Sequence, residues 1–383
     1  MGPIIGRSWN MCGAGGLVPA DDDRAPLRPH VGSMSIARHR RPSGGVGRSA
    51  TPTSWTGTAR RRERAARNAR CALRNARGDA GGLGSRPGPG TALSPGEGQS
   101  TKDARMADTR RLRIAQISDT HLAPGQAEVD ANFDALAAWI RAESPDLVVH
   151  SGDVTRDAPG VPEELDYAAA RLAELGVETL VIPGNHDVGD NPGDGGYAPA
   201  SPVGPGPLAA WARVFGADRF ARDIAGWRVV GIDAQLFLSG LPEEAAQWDW
   251  LEETLAVPGP VALFTHKPLF RETPDEPADP TPFRYAPMGP RARMMDLIRG
   301  ADVRLVGCGH VHQTRQVTAE GVIHGWCPAS AFVIPDAHQP RIGDKLCGLL
   351  DWRLGADGSV DCRLVRPATM GDHDITELPK MYG

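Results

Sequence analysis

Nowhere in the 383 residues is there a run of about 18 apolar side chains, the length a membrane-crossing helix needs, so no membrane span is expected. Cysteine is scarce as well. There are six, Cys12, Cys71, Cys308, Cys327, Cys347 and Cys362, and no Cys-x-x-Cys pair. That usage excludes a disulfide scaffold and a structural zinc knot, and the thiols read as reduced and mostly buried. The N-terminus lacks a basic start followed by an apolar segment, so no secretory signal is expected. The run Asp21, Asp22, Asp23 argues against an Arg- and Ser-rich transit peptide. A cytoplasmic protein is therefore expected. No internal repeat is evident.

Charge is divided unevenly along the chain. Residues 1–105 carry 18 Lys and Arg against 7 Asp and Glu, a net of +11. The remaining residues carry 24 against 40, a net of −16. The first segment is rich in Gly, Pro, Ser and Arg and has few periodic apolar positions. It cannot bury enough apolar surface to offset its ordering entropy, and a disordered extension is expected there. Within it, residues 60–77 (RRRERAARNARCALRNAR) could form a basic helix that touches nucleic acid or an anionic membrane. The Gly/Pro-rich flanks favour a solvated tail instead. The composition shift near Met106 raises a further expectation: Met106 is the native start, and residues 1–105 are not part of the native protein. Residues 106–383 are long enough for one sizeable core. Their acidity argues against a long nucleic-acid groove, which needs Lys and Arg to neutralise phosphates.

From Leu112 the pattern alternates between strands and helices. Apolar runs at 112–118, 147–150, 178–182, 227–232, 261–265 and 303–306 read as strands. Helical spacing appears at 132–142, 163–175, 243–255 and 291–298. From residue 313 to 365 the chain offers strand-like runs at 316–318, 322–326, 346–352 and 360–365, with Ala356-Asp357-Gly358 as a hairpin turn. Strand–helix alternation followed by a run of strands implies a layered α/β fold with sheets in the middle and helices outside.

Five polar clusters directly follow apolar strands: Asp119-Thr120-His121, Gly152-Asp153, Gly184-Asn185-His186-Asp187, Thr265-His266-Lys267 and Gly309-His310-Val311-His312. In open α/β sheets ligands bind at that strand edge. Any one cluster alone is weak, since Asp after a strand is commonly a cap or loop residue. Five in order are a much stronger signal. Asp and His together suit Zn, Fe or Mn, and no Cys is among them. Two Asp, one Asn and four His are too many for one ion. With one carboxylate bridging, each of two ions would have four protein ligands, at the about 3.5–4 Å separation typical of paired metals.

These motifs resemble the calcineurin-like metallophosphoesterases, whose pattern is D-x-H, GD, GNH[D/E], H and GHxH. The resemblance covers residues 112–320 with all five motifs intact. It implies a four-layer α/β/β/α sandwich for residues 106–383. It also implies one metal held by Asp119, His121, Asp153 and His312, and a second by Asp153, Asn185, His266 and His310. Asp153 and a hydroxide would bridge them. His186 would contact phosphate and protonate the leaving oxygen, and Asp187 would orient His186.

The chain lacks the GDxVDRG of protein Ser/Thr phosphatases; it has GDVTRDAPG. It also lacks the Tyr that follows the bridging Asp in purple acid phosphatases, so no purple Fe(III) centre is expected. ISDTHL, GNHD and THKPLF look most like the bacterial cyclic-nucleotide and glycerol phosphodiesterase branch. Dinuclear hydrolysis of a small phosphodiester is thus the expected function. A phosphomonoesterase is the alternative, and a non-catalytic scaffold the alternative from another class. No stable nucleic-acid partner is expected, and the oligomeric state is left open, a dimer included. Residues 188–207 and 270–290 are expected to set specificity. The second stretch contains Arg271, Phe283, Arg284 and Tyr285, and an Arg beside aromatics suits a base and a phosphate.

Overall fold

The computed structural model describes residues 111–378. The expectations for the extension 1–105, the basic stretch 60–77, Met106 as a start, and Cys12 and Cys71 lie outside the described residues. Strand β1 (Leu112–Ile117) leads through helix α1 (Ala127–Glu143) to β2 (Leu147–His150), and through α2 (Glu164–Ala173) to β3 (Thr179–Val181). These strands pair in parallel, because each helix returns the chain to the same end of the sheet. A single helical turn, α3 (Asn185–Val188), and α4 (Pro205–Phe215) follow. Then come the hairpin β4 (Phe220–Ile224) and β5 (Trp227–Ile232), α5 (Pro242–Leu255), β6 (Val261–Thr265), α6 (Met288–Gly300) and β7 (Val303–Cys308). The last strands are β8 (Arg315–Ala319), β9 (Val322–Trp326), β10 (Leu349–Leu354) and β11 (Val360–Val365).

Two sheets result, in the orders β11-β10-β1-β2-β3 and β4-β5-β6-β7-β9-β8. The final four strands do not form one unit. β8 and β9 finish the second sheet, while β10 crosses back to pair antiparallel with β1. Side chains alternate across each pleat, and this separates three apolar layers. Ala115, Ile117 and Val148 face outward onto Phe133, Leu136 and Ile140 of α1 and Leu165 of α2. Val230, Ile232, Leu263 and Val306 face the opposite way, onto Trp248 and Leu251 of α5 and Met294 and Ile298 of α6. Ile114, Val149, Val229, Phe264, Leu305 and Trp352 fill the space between the sheets. Helices, sheet, sheet, helices: this is the four-layer sandwich that the resemblance implies.

Within the inter-sheet layer one amide ties four strands. Gln116 donates to Ser151 Oγ (3.0 Å) and to the Cys308 carbonyl (3.2 Å). Its Oε1 accepts from Trp352 Nε1 (2.9 Å). A buried amide this well satisfied fixes the register of the sheets at the end where the motifs emerge.

Some elements differ from expectation. α1 starts at Ala127 rather than 132, with Glu128 and Asp130 in its first turn, where negative charge meets the positive helix end. α4 and β4 were not foreseen. α4 follows a Gly/Pro-rich stretch and buries only Leu208 and Trp211, too few for a clear stripe. β4 is an edge strand with Ala-Arg-Asp exposed in its middle. β10 runs over 349–354 instead of 346–352. Cys308, Cys327 and Cys347 are buried free thiols, and Cys362 is half-buried.

Candidate metal centre

The five clusters leave β1, β2, β3, β6 and β7 at their C-terminal ends and converge. Asp119, His121, Asp153, His266 and His312 are buried; Asn185, His186 and His310 are half-buried. Backbone bonds stitch the first two loops together, Asp119 N to Gly152 O (3.0 Å) and His121 N to Asp153 O (3.1 Å). Five of the candidate ligands sit at left-handed backbone angles: Asp119 (φ 52°), His121 (43°), Asp153 (53°), His310 (70°) and His312 (51°). That conformation costs an L-residue roughly 1–2 kcal/mol, and such strain concentrates at functional sites. Gly152 (φ 101°) both permits the turn and makes room, because a Cβ there would meet His266 Nδ1 at 2.5 Å. Gly184 and Gly309 are equally confined, against Asp153 and Ser118 respectively.

Ligand atoms gather in three overlapping groups, Asp119/His121/His312, His121/Asp153/His186 and Asp153/His266/His310, and Asp153 links the last two. In the first, His312 Nε2 lies 3.3 Å from Asp119 Oδ1 and 3.2 Å from His121 Nε2, which is 3.9 Å from Asp153 Oδ2. In the third, His266 Nε2 lies 3.3 Å from Asp153 Oδ2, 3.3 Å from Asn185 Oδ1 and 3.1 Å from His310 Nδ1. The tautomers test whether cations fit. The outward nitrogens of His266, His310 and His312 face the carbonyls of Ser151 (2.9 Å), Phe283 (2.8 Å) and Phe332 (3.1 Å). A carbonyl only accepts, so those nitrogens carry the hydrogens, and the inward nitrogens present lone pairs. His266 Nε2 and His310 Nδ1 then face each other lone pair to lone pair. Positive charge between them, a proton on His266 Nε2 or a metal cation, makes that arrangement favourable, and the donor set fits cations.

Burial and charge act on these groups in opposite directions. Burial alone would raise Asp119, but the charge and hydrogen bond of His312 hold it below the usual carboxylate range. Burial also opposes ionisation of Asp153, and the charge of His266 overrides it. Burial would depress His266; the Asp153 carboxylate instead holds it up to about 9. Burial keeps His121 and His310 neutral, each helped by a neighbouring imidazole.

His186 stands at the rim, its ring 4.8 Å from that of His121 in an edge-on contact. Its Nδ1 lies 2.6 Å from the Arg156 carbonyl, and its ligand atom groups with those of His121 and Asp153. The expected role of Asp187 is corrected here. Its carboxylate accepts from Val154 N, Thr155 N, Thr155 Oγ1 and Gly184 N at 2.8–3.1 Å. It clamps the β2 loop to α3, and the Arg156 carbonyl orients the His186 ring. The spacing Gly184-x-x-Asp187 is that of a helix capping box, a local signal that explains this outcome.

Several residues at the site were not singled out from the sequence. Lys267 is buried, not a substrate contact; its ammonium lies 2.5 Å from both Asp190 Oδ1 and Asn191 Oδ1. Gln313 is 1% exposed. It donates to Gln339 Oε1 (2.9 Å) and the Pro340 carbonyl (3.1 Å), and accepts from Ile342 N (2.7 Å) and Gly343 N (2.8 Å). His150 accepts from Gly152 N through Nδ1 (3.2 Å) and so donates through Nε2 to Thr120 Oγ1 (2.9 Å). Phe332 packs its ring on those of His121 (4.9 Å) and His312 (4.7 Å). Among the expected specificity residues, Phe283 and Arg284 line the cavity beside the cluster. Tyr285 is buried against Trp326, and Arg271 pairs with Asp279 (3.5 Å). The stretches 188–207 and 270–290 also meet each other, through Asp194 and Met288 N (2.9 Å) and through the Tyr197 and Phe283 rings (5.9 Å).

Overlapping groups of Asp and His ligand atoms at the strand edge of a double-sheet sandwich are what a metal-dependent phosphoesterase requires. Residues 112–314, more than half of the chain, match the calcineurin-like phosphoesterase family, and the chain belongs to that family, whose members work with a dinuclear metal centre. It is 29% identical over 254 residues to a glycerophosphodiester phosphodiesterase of Enterobacter lignolyticus, covering 60% of this chain and 81% of the relative. A serine/threonine-protein phosphatase of Danio rerio is 29% identical over 218 residues, 54% of this chain and 63% of the relative. A probable cyclic nucleotide phosphodiesterase of Rhodococcus erythropolis is 25% identical over 282 residues, 66% of this chain and 78% of the relative. Among the described residues no helix is long and apolar enough to cross a membrane.

Proposed function

We propose that the chain hydrolyses small phosphodiesters, of the cyclic-nucleotide or glycerophosphodiester type, with two divalent cations of Fe, Mn or Zn. Asp119, His121, Asp153 and His312 would hold one, and Asp153, Asn185, His266 and His310 the other. The observation that carries this reading is the placement of Asp153 Oδ2 between His266 Nε2 and His121 Nε2. When bound, the cations neutralise phosphoryl charge and make water a nucleophile near neutral pH.

The chain's own groups do the rest. His186, anchored at Nδ1 by the Arg156 carbonyl, offers a proton from Nε2 to the leaving oxygen. General acid help of that kind is worth about 10²–10⁴-fold. Phe332 closes the back of the cluster to water, and Phe283 and Ile334 line the mouth.

Two of the three relatives above are phosphodiesterases by name, which favours the diester. The serine/threonine-protein phosphatase relative keeps a monoesterase as the second reading. The test is steady-state turnover of the full chain, reconstituted separately with Mn, Fe and Zn. Substrates are bis(p-nitrophenyl) phosphate, p-nitrophenyl phosphate, glycerophosphocholine and 3′,5′-cyclic AMP. Diesters are expected to turn over faster. The reverse order would establish the monoesterase, and no turnover with two ions bound would favour a scaffold.

A further inference from the structure

A second depression adjoins the cavity beside the candidate metal centre, and Arg284 lines both. The charges around it do not cancel. Arg271 is matched by Asp279, and Glu272 by Arg315. Arg341 and Lys345 share one carboxylate, Asp336, at 3.1 and 2.9 Å. Arg284 has no ion-pair partner among the described residues. Of the arginines lining the depression, Arg284 has no such partner and Arg341 has only a shared one, which leaves the wall short of negative charge in a chain whose residues 106–383 are strongly acidic. The Lys345 side chain is buried, its ammonium bonded to Asp336 and to the Gln339 carbonyl. Burial holds the Lys345 ammonium below its ordinary pKa, and the charges of Arg341 and Arg284 push the same way against Asp336. Guanidinium groups that line a depression and are not fully matched by carboxylates are what an anion-binding wall requires.

The wall is also preorganised. The residue before Arg284 is Phe283, whose carbonyl takes the outward nitrogen of His310. The residue after it is Tyr285, buried against Trp326. Arg341 lies between the Pro340 carbonyl and Ile342 N, both bonded to the buried side chain of Gln313, which directly follows His312. Both arginines thus ride on backbone fixed through neighbours of candidate metal ligands. A displacement of either costs hydrogen bonds inside the cluster.

We propose that Arg284 and Arg341 form a subsite for a second anionic group, a carboxylate or a further phosphoryl, on the molecule whose phosphoester sits at Asp153 and His186. The inference rests on the phosphoester reading above and deepens it: the preferred substrate carries a second negative charge on its alcohol portion. A guanidinium pair recognises either group through two-pronged hydrogen bonds.

Equilibrium binding to the metal-reconstituted full chain tests this without needing turnover. The probes are propylphosphonate and hexylphosphonate, each compared with its counterpart bearing a terminal carboxylate and its counterpart bearing a second phosphonate. The C–P bond is not hydrolysed. In titration calorimetry at least one doubly anionic probe should bind about 10-fold tighter than its parent, the scale of a charge-assisted hydrogen bond. Which probe gains identifies carboxylate or phosphoryl. The preference should fall toward parity in both Arg284→Gln and Arg341→Gln, and should weaken with added salt. Equal binding of all probes overturns the subsite, as does a preference that survives in both variants. Failure of the phosphoester reading would show separately, as absence of turnover on every ester with the phosphonates still discriminated.

Discussion

The two sheets meet at the cluster but bring different chemistry to it. The first contributes both carboxylates, the amide and one imidazole: Asp119, Asp153, Asn185 and His121. The second contributes only imidazoles: His266, His310 and His312. The first alone would be an anionic cage short of neutral donors, and the second a cluster of rings with nothing to draw a cation in. Each candidate ion draws on both. The loops are also fixed differently. On the first sheet a single carboxylate, Asp187, locks two loops to each other. On the second, the residue after a ligand reaches outward: Lys267 to the 190–191 turn, Gln313 to the 339–343 loop. The first sheet's loops are tied mainly to one another, while the second's tie the cluster to the walls a substrate meets.

The largest expected effect sharpens that contrast at its shared residue. Asp153→Asn keeps the left-handed backbone, which Asn tolerates, and removes only the charge. Both ions should be lost by metal analysis, with turnover down more than about 100-fold, beyond the 10–100-fold typical of residues hydrogen-bonded behind a ligand. Retention of two ions with full turnover would refute the sharing of Asp153. Next, His186→Ala should keep both ions and slow alkyl diesters by about 10²–10⁴-fold, with a smaller loss on p-nitrophenyl esters. Equal losses on both would remove the acid role.

The outward-reaching residues come last. Lys267→Met removes the ammonium that pairs with the buried Asp190 carboxylate, at a cost of about 3–5 kcal/mol. Differential scanning calorimetry should show a fall in Tm on the order of 10 °C. Gln313→Leu should cost less, about 1–3 kcal/mol, and act mainly on KM, since it loosens a wall rather than the cluster. If it lowered kcat alone, the division between the sheets would not hold.

The strands carrying the motifs were legible because each is a short apolar run that ends abruptly in Asp, Asn or His. Convergence of those ends on one edge then follows from parallel pairing. α4 and β4 were hidden for opposite reasons. α4 buries two side chains, so its stripe is faint. β4 is an edge strand, and its signal was the turn rather than the strand: Ala225 and Gly226 both have positive φ (50° and 82°), as a two-residue hairpin turn demands. Asp187 lies beside the site, but three of its four hydrogen bonds come from backbone N–H groups, of which only the one from Gly184 has a spacing signal in the sequence. Gln313 and Lys267 were on the page beside their ligands. What they hold lies 26 or more and 77 or fewer positions away along the chain, a relation only the folded loops reveal.

The left-handed backbone at Asp119, His121, Asp153, His310 and His312 restricts the alphabet that can be written at these positions. Asp, Asn, His and Gly enter that conformation with least penalty; β-branched and bulky residues resist it. Chain geometry and coordination chemistry therefore select the same few letters independently. A variant library over these five positions would be sieved for foldability before it was sieved for metal, and the two sieves would pass nearly the same sequences.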